Sequence, residues 1–410
     1  MAIPETAVSW EEILGGKDWD GLLDPLDDSL RLFILRCGDL CQATYDAFNN
    51  DENSGYAGSC RYGKKSFFRK VTFPNPDDYY VAGNLYAAAR VSRLEALFFR
   101  SKSRESWDRE SNWIGFIAVT GDDVSRTLGR REIYVVWRGT TRSYEWIDDM
   151  GAKPARADVL LRGNENRDAM IAGNDDEAVP KVMIGWLSVY TTSDPKSAFT
   201  ALSARDQVRK RISELINQYE NERLSIILTG HSLGGSLAVL SAFDLVENGV
   251  SGIPVAAVTF GCPRVGNRAF KDRIGHYPNL KILQVRNTTD RIPLYPTALM
   301  GYHHSGVDFE VDNRKSPFLK SSGSFLDRHN LQAMLHAVAG WQGRDGGFEL
   351  RVKRSLALVN KSAEILRDEY MIPGSWWVEK NKGMVLDDSG EWVLAPPAEE
   401  DRPVPEFDFF

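Results

Sequence analysis

Short apolar runs alternate with amphipathic stretches through the middle of the chain. Residues 113–120 (WIGFIAVT), 132–138 (EIYVVWR), 224–228 (LSIIL), 255–260 (VAAVTF) and 280–286 (LKILQVR) are rich in β-branched and aromatic residues. Polar or Gly-Pro-rich segments bound each of them, which reads as buried strands. Residues 200–219 and the stretch after Gly234 place apolar residues at helical spacing. Residues 306–311 read as an edge strand. Strands separated by helices predict a mostly parallel central sheet with helices on both faces.

The flanks are patterned differently. Ser29 reads as the N-cap of an amphipathic helix, LRLFILRCGDLCQATYDAF. Residues 50–82 are loop-like, and VAGNLYAAA and LEALFF suggest short helical or strand pieces. Residues 1–105 are therefore expected to form a mainly helical N-terminal extension of one domain spanning 1–395. Residues 151–180 are polar and read as a large loop. Downstream, 350–370 reads as a helix and GMVLDDSGEWVL as a hairpin about Asp388-Ser389-Gly390. The acidic, Pro-rich tail 396–410 is expected to be disordered.

Where the run 224–228 ends, Gly230-His231-Ser232-Leu233-Gly234 leads straight into a helical pattern. Strand, sharp turn and helix with one serine at the apex form the nucleophile elbow of an α/β-hydrolase fold. The flanking glycines have a steric purpose, because the apex is strained and strand and helix approach closely there.

Composition narrows the partners. A net charge of −7, with no block of basic residues, argues against nucleic acid and against a polybasic membrane anchor. The four cysteines are scattered over 410 residues, so no disulfide framework is expected. No ligand set accompanies Cys37 and Cys41, and neither metal nor cofactor is expected. The N-terminus is acidic and carries no signal-peptide pattern, and no apolar run reaches the length of a membrane span. The expected compartment is the cytosol.

A serine needs a base, and the base needs an orienting acid. In this fold they follow in the order Ser, Asp or Glu, His. Of six histidines, His231 adjoins the nucleophile, His276 comes too early, and His303 and His304 fall in a sheet-like segment. His329 and His336 remain. His329 lies just ahead of a helix and is the better base, while His336 lies within that helix and stays open as a supporting contact. Asp290 stands in a loop directly after the strand 280–286, where an acid belongs, although a turn carboxylate is the plainer reading. The oxyanion donors should be the backbone N–H of Leu233 and a group after an earlier strand. Thr140, in Gly139-Thr140-Thr141, fits that second place or is simply a turn residue.

These blocks resemble the class 3 lipases, and most closely the plant class II phospholipase A1 group. VVWRGT with SYEWIDD is similar to the strand, oxyanion turn and lid of those enzymes. LTGHSLGGSLAVLSA resembles their elbow, VTFGCPRVGNRAF the segment after it, NTTDRIP the acid loop and HNLQAMLHAVAG the histidine stretch. The resemblance implies Ser232 as nucleophile, Asp290 as acid, His329 as base, and Thr140 and Leu233 as oxyanion donors. It also implies a lid bearing Tyr144, Trp146, Ile147 and Met150, with transient peripheral contact to a lipid surface; periodicity alone would make that stretch an ordinary surface helix. Met183 stands where many class 3 lipases show a histidine, which bears on substrate preference. The implied activity is hydrolysis of glycerolipid acyl esters at sn-1 of a phospholipid. Other possibilities are a mono- or diacylglycerol or galactolipid lipase, a soluble carboxylesterase, or a non-enzymatic lipase-like signalling scaffold.

Overall fold

The computed structural model describes residues 8–88, 98–141, 152–162, 178–321, 324–378 and 380–407. Its centre is a seven-stranded sheet of β1 (Tyr79–Ala88), β2 (Ser111–Thr120), β3 (Arg131–Trp137), β6 (Leu224–His231), β7 (Val255–Phe260), β9 (Leu280–Asn287) and β11 (Val307–Val311). They lie side by side in that order. β1, β2 and β3 pair antiparallel, and every pairing from β3 to β11 is parallel. β2, β3, β6 and β7 are buried at every residue, which is why they read as continuous apolar runs.

Each face has its own core, and the pleat divides neighbours between them. Ile226 and Leu228 of β6 join the core beneath the helices Ala204–Gln218 and Leu233–Glu247, while Ile227 joins the core on the other face. There the helices Asp28–Asp46 and Leu331–Gly340 pack on the sheet and on each other. The buried Arg31 donates from Nη1 to Val338 O at 2.6 Å and from Nη2 to Leu26 O at 3.2 Å. Val338 lies in the last turn of its helix, where carbonyls lack intrahelical donors. A second, four-stranded sheet joins β4 (Pro154–Arg156), β5 (Lys181–Met183), β8 (Gly266–Asn267) and β10 (Tyr302–His303) in the order β10-β8-β5-β4. The strands Met384–Leu386 and Trp392–Leu394 form the expected hairpin.

Four expectations about the flanks need correction. The N-terminal segment is less an extension than a structural layer, supplying the helix on one sheet face and the edge strand β1. β1 is Ala-rich, with register shifts at Val81/Gly83 and Leu85/Tyr86, and so lacks a clean alternating pattern. The N-cap of the first long helix is Asp27, not Ser29; its carboxylate accepts from the amides of Ser29 and Leu30 at 2.8 and 3.0 Å. Residues 350–370 hold only the short 3-10 turns Leu356–Asn360 and Asp368–Tyr370, because side-chain bonds such as Asn360 Oδ1 to the amides of Ile365 and Leu366 satisfy the backbone instead. The acidic tail is docked as far as Phe407. Glu406 pairs with Lys64 and Arg211 at 3.0 and 3.4 Å, Asp401 accepts from Gly63 N at 2.9 Å, and Phe407 is buried beneath Lys210. Ion pairs plus one buried ring offset the ordering entropy that composition alone would leave uncompensated.

No helix among the described residues is long and apolar enough to cross a membrane.

Candidate active site

β6 ends at His231, and the chain reverses through Ser232 at φ 58°, ψ −126° before entering the helix Leu233–Glu247. A non-glycine residue held there costs about 1–3 kcal/mol and persists only where neighbours over-determine it. The neighbours do so by closeness. A Cβ on Gly230 would lie 2.2 Å from the Gly234 carbonyl group, and one on Gly234 would lie 2.4 Å from Trp137 O. The Ser232 amide donates to Phe260 O at 2.9 Å, fixing the apex to β7. Ser232 is buried, and its hydroxyl has no hydrogen-bond partner among the described residues. The Leu233 amide, in the first helical turn, has no intrahelical acceptor and is available for a ligand oxygen.

Asp290 sits beyond the C-terminal end of β9. Its Oδ1 accepts from Ile292 N at 2.9 Å and its Oδ2 meets His329 Nδ1 at 2.6 Å, both side chains being fully buried. Nδ1 therefore carries the hydrogen, and Nε2 is the basic nitrogen. His329 lies between the short helix Phe325–Arg328 and Asn330, whose side chain caps Leu331–Gly340 by accepting from Ala333 N at 3.0 Å. Asn287 Nδ2 donates to Arg328 O and to Thr289 Oγ1, each at 3.0 Å, stitching the base loop to the acid loop. Gly261, at φ +56°, lies under the pair. A Cβ there would stand 2.7 Å from His329 Cε1 and 3.1 Å from Asp290 Oδ2.

His231, set aside as a base, has a different place. Its Nε2 donates to the backbone carbonyl of His329 at 2.9 Å, so its Nδ1 is the acceptor for the Tyr45 hydroxyl at 2.7 Å. The two imidazoles lie 4.6 Å apart between centroids. Burial, and then the neighbouring His329, holds His231 well below the usual imidazole range, so it remains neutral and keeps this tautomer. Tyr45 also lies against the turn after β3, where a Cβ on Gly139 would meet its hydroxyl at 2.1 Å. Thr140 follows in this turn and is buried. Arg138 braces this turn. Its Nε donates to Trp113 O at 3.1 Å, its Nη1 to Gly139 O at 2.9 Å, and its guanidinium stacks 3.6 Å over the Phe48 ring. Burial lowers its pKa to about 9, which still leaves a cation two residues from Thr140 at neutral pH.

The structure thus brings together Ser232, Asp290, His329, Leu233 and the turn at Thr140. His336 stands apart, bonded to Ser316 at 2.7 Å and packed on Phe348. Tyr144, Trp146, Ile147 and Met150 lie outside the described residues. The roles of Tyr45, Asn287 and Gly261 went unread in the sequence. Asn287 and Gly261 lie inside NTTDRIP and VTFGCPRVGNRAF, and His231 inside the elbow motif, so of the supporting residues Tyr45 carried no signal.

The chain is similar to known lipases and phospholipases. A family model for Lipase (class 3) matches residues 134–300. Phospholipase A1-IIdelta of Arabidopsis thaliana is 57% identical, covering 98% of this chain and 99% of its own length. Phospholipase A1-II 5 of Oryza sativa subsp. indica is 50% identical over 97% of this chain and 84% of that protein. Among solved structures, the Lip2 lipase of Yarrowia lipolytica aligns with a TM-score of 0.46 at 20% identity, over 70% of this chain and 81% of that one.

Proposed function

The chain belongs to the class 3 lipases, among the phospholipase A1-II proteins, and from that premise we propose that it is a serine acylhydrolase releasing the sn-1 fatty acid of glycerophospholipids. The observation that carries the chemistry is the buried 2.6 Å pairing of Asp290 with His329 beside a strained serine apex. His329 Nε2 takes the Ser232 proton as Oγ attacks the acyl carbonyl carbon. The backbone N–H groups of Leu233 and Thr140 hold the resulting oxyanion. As the intermediate collapses, the carbon–oxygen bond to glycerol breaks, and Nε2 hands its proton to the leaving alkoxide. Nε2 then deprotonates water, which attacks the acyl-enzyme and frees the fatty acid. Asp290 stays ionised throughout and steadies the imidazolium. The relatives' names support phospholipid as substrate and sn-1 as the site. Such a substrate lies in a lipid surface, so the enzyme works as a transient peripheral visitor there.

The test is Ser232→Ala with phosphatidylcholine labelled separately at sn-1 and sn-2. Loss of sn-1 release by roughly 10⁴-fold, with an unchanged thermal midpoint, is expected. Undiminished release by the variant would remove Ser232 from the mechanism, and release of the sn-2 label by the wild type would remove the regiospecificity.

A further inference from the structure

The turn after Asp290 carries apolar side chains that the hydrolytic chemistry does not use. Leu299 is 101% exposed, Met300 52% and Leu294 45%. Ile184, also 45% exposed, lies close by through the second sheet. Met183 N donates to Val265 O at 3.0 Å, and Arg264 N to Tyr295 O at 2.9 Å. Apolar tips of this size clustered on one edge mark a contact surface.

Several backbone groups of the turn are paired within it. Leu294 N and Tyr295 N donate to Arg291 O and Ile292 O at 3.0 Å, and Met300 N to Thr297 O at 3.0 Å. The Arg264 guanidinium donates to the carbonyls of Leu294 and Pro296. Each backbone group paired in this way is one fewer to desolvate when the turn meets an apolar phase. Around the tips stand cations. Arg291 is exposed and has no ion pair among the described residues. Arg268 and Lys271 are exposed on the helix Arg268–Ile274, which begins beside the β8–β10 pair; Arg268 forms a long, exposed ion pair with Asp272 at 3.7 Å. In a chain of net charge −7, the described residues of this edge are locally basic, with Arg291, Arg268 and Lys271 against Asp272. Apolar tips within a basic collar complement a lipid–water interface with anionic headgroups. The direction fits as well. The turn starts two residues past Asp290, at the same carboxyl end of the parallel strands as Ser232, and Ile292 N is itself bonded to Asp290.

We propose that residues 294–300, with Ile184, form a fixed docking ridge for a phospholipid surface. Leu299 and Met300 enter below the headgroups, Arg291 and Arg268 lie at phosphate level, and the active site faces the membrane from which its substrate comes. The inference rests on the lipid-ester reading above.

The experiment compares the full-length protein with the double variant Leu299→Asp, Met300→Ser. Three quantities are measured: sedimentation with vesicles of phosphatidylcholine alone or mixed with phosphatidylserine, hydrolysis of vesicle lipid, and hydrolysis of a short-chain water-soluble ester. Vesicle binding and vesicle hydrolysis are expected to fall about tenfold or more, with soluble-ester turnover unchanged. Arg291→Gln should weaken binding only to the anionic vesicles, and added salt should erase that difference. Wild-type vesicle binding by the double variant overturns the ridge while leaving the enzymatic reading intact. A wild type that binds vesicles through the ridge yet hydrolyses no lipid ester overturns the enzymatic reading instead. Loss of a concentration-dependent dimer in the double variant, with vesicle binding retained, would assign the surface to a second copy of the chain and also overturn the ridge.

Discussion

His231 shares a motif with the nucleophile yet turns away from the reaction, and its two hydrogen bonds give it a separate task. Tyr45 holds its tautomer, and it in turn holds the His329 carbonyl, so the base loop is fixed from below. Tyr45→Phe keeps the ring and removes the hydroxyl. The expected result is a fall in kcat of about tenfold on a soluble ester with KM unchanged. His231→Gln, whose amide can still donate to that carbonyl, should retain more activity than His231→Leu. Equal kcat in the two His231 variants, or a Tyr45→Phe enzyme with a lowered thermal midpoint and full kcat, would reduce the strut to ordinary packing. At this scale the sequence was most readable where chemistry demands a residue type. Ser232 stood at an elbow, Asp290 at a strand end and His329 ahead of a helix. Tyr45 was invisible because it is one more residue at helical spacing, and its partner lies 186 positions away.

The helix Asp28–Asp46 is the element on which both ends of the chain converge. Cys41 touches Thr229 of β6 at 3.1 Å, Arg354 pairs with Asp39 at 2.7 Å, and Lys361 meets Asp46 at 2.6 Å with both side chains buried. Lys361 also stacks 4.1 Å over the Trp377 ring, and Asp46 accepts from Gln42 at 2.9 Å. Desolvation raises the Asp46 carboxyl, against the pull of Lys361, so the ion pair leaves little margin. Lys361→Met strands a buried carboxylate and should cost about 3–5 kcal/mol in urea unfolding. Pairing it with Asp46→Asn should recover most of that loss, and a double variant as unstable as the single one would refute the pairing. The helix itself was legible from its apolar spacing, whereas its cap and the strand β1 were not. Asp27 outcompeted Ser29 because its carboxylate accepts from two free amides of the first turn, Ser29's own among them, and β1 hides among alanines and register shifts.

Across the whole molecule, buried imidazoles set how stability responds to acid. Burial lowers His336 to about 4 and His304 to about 4, and holds His231 well below the ordinary value. An unfolded histidine titrates near 6.5, so between that value and about 4 the unfolded chain binds more protons than the native one, and stability falls as pH falls. His336 alone contributes roughly 3 kcal/mol over that window. Asp46, with its raised carboxyl, works in the opposite direction. Urea midpoints measured from pH 7 to 4.5 should decline, and His336→Gln should flatten the slope; an unchanged slope would contradict the buried, neutral state of His336. The sheet order is the other global feature; the apolar runs anticipated most of the strands and their mostly parallel character, but not the order in which they lie. Its strands lie in space in the order in which they occur in the chain, from Tyr79 to Val311. On a ribosome such a sheet can therefore grow outward from one edge, each strand adding to the one before it as synthesis proceeds. One face stays half bare until the helix Leu331–Gly340 emerges to lie against a helix made some three hundred residues earlier, and the base at His329 emerges only just before it. The nascent chain thus carries its nucleophile long before it carries the means to activate it, and hydrolytic competence comes late in translation.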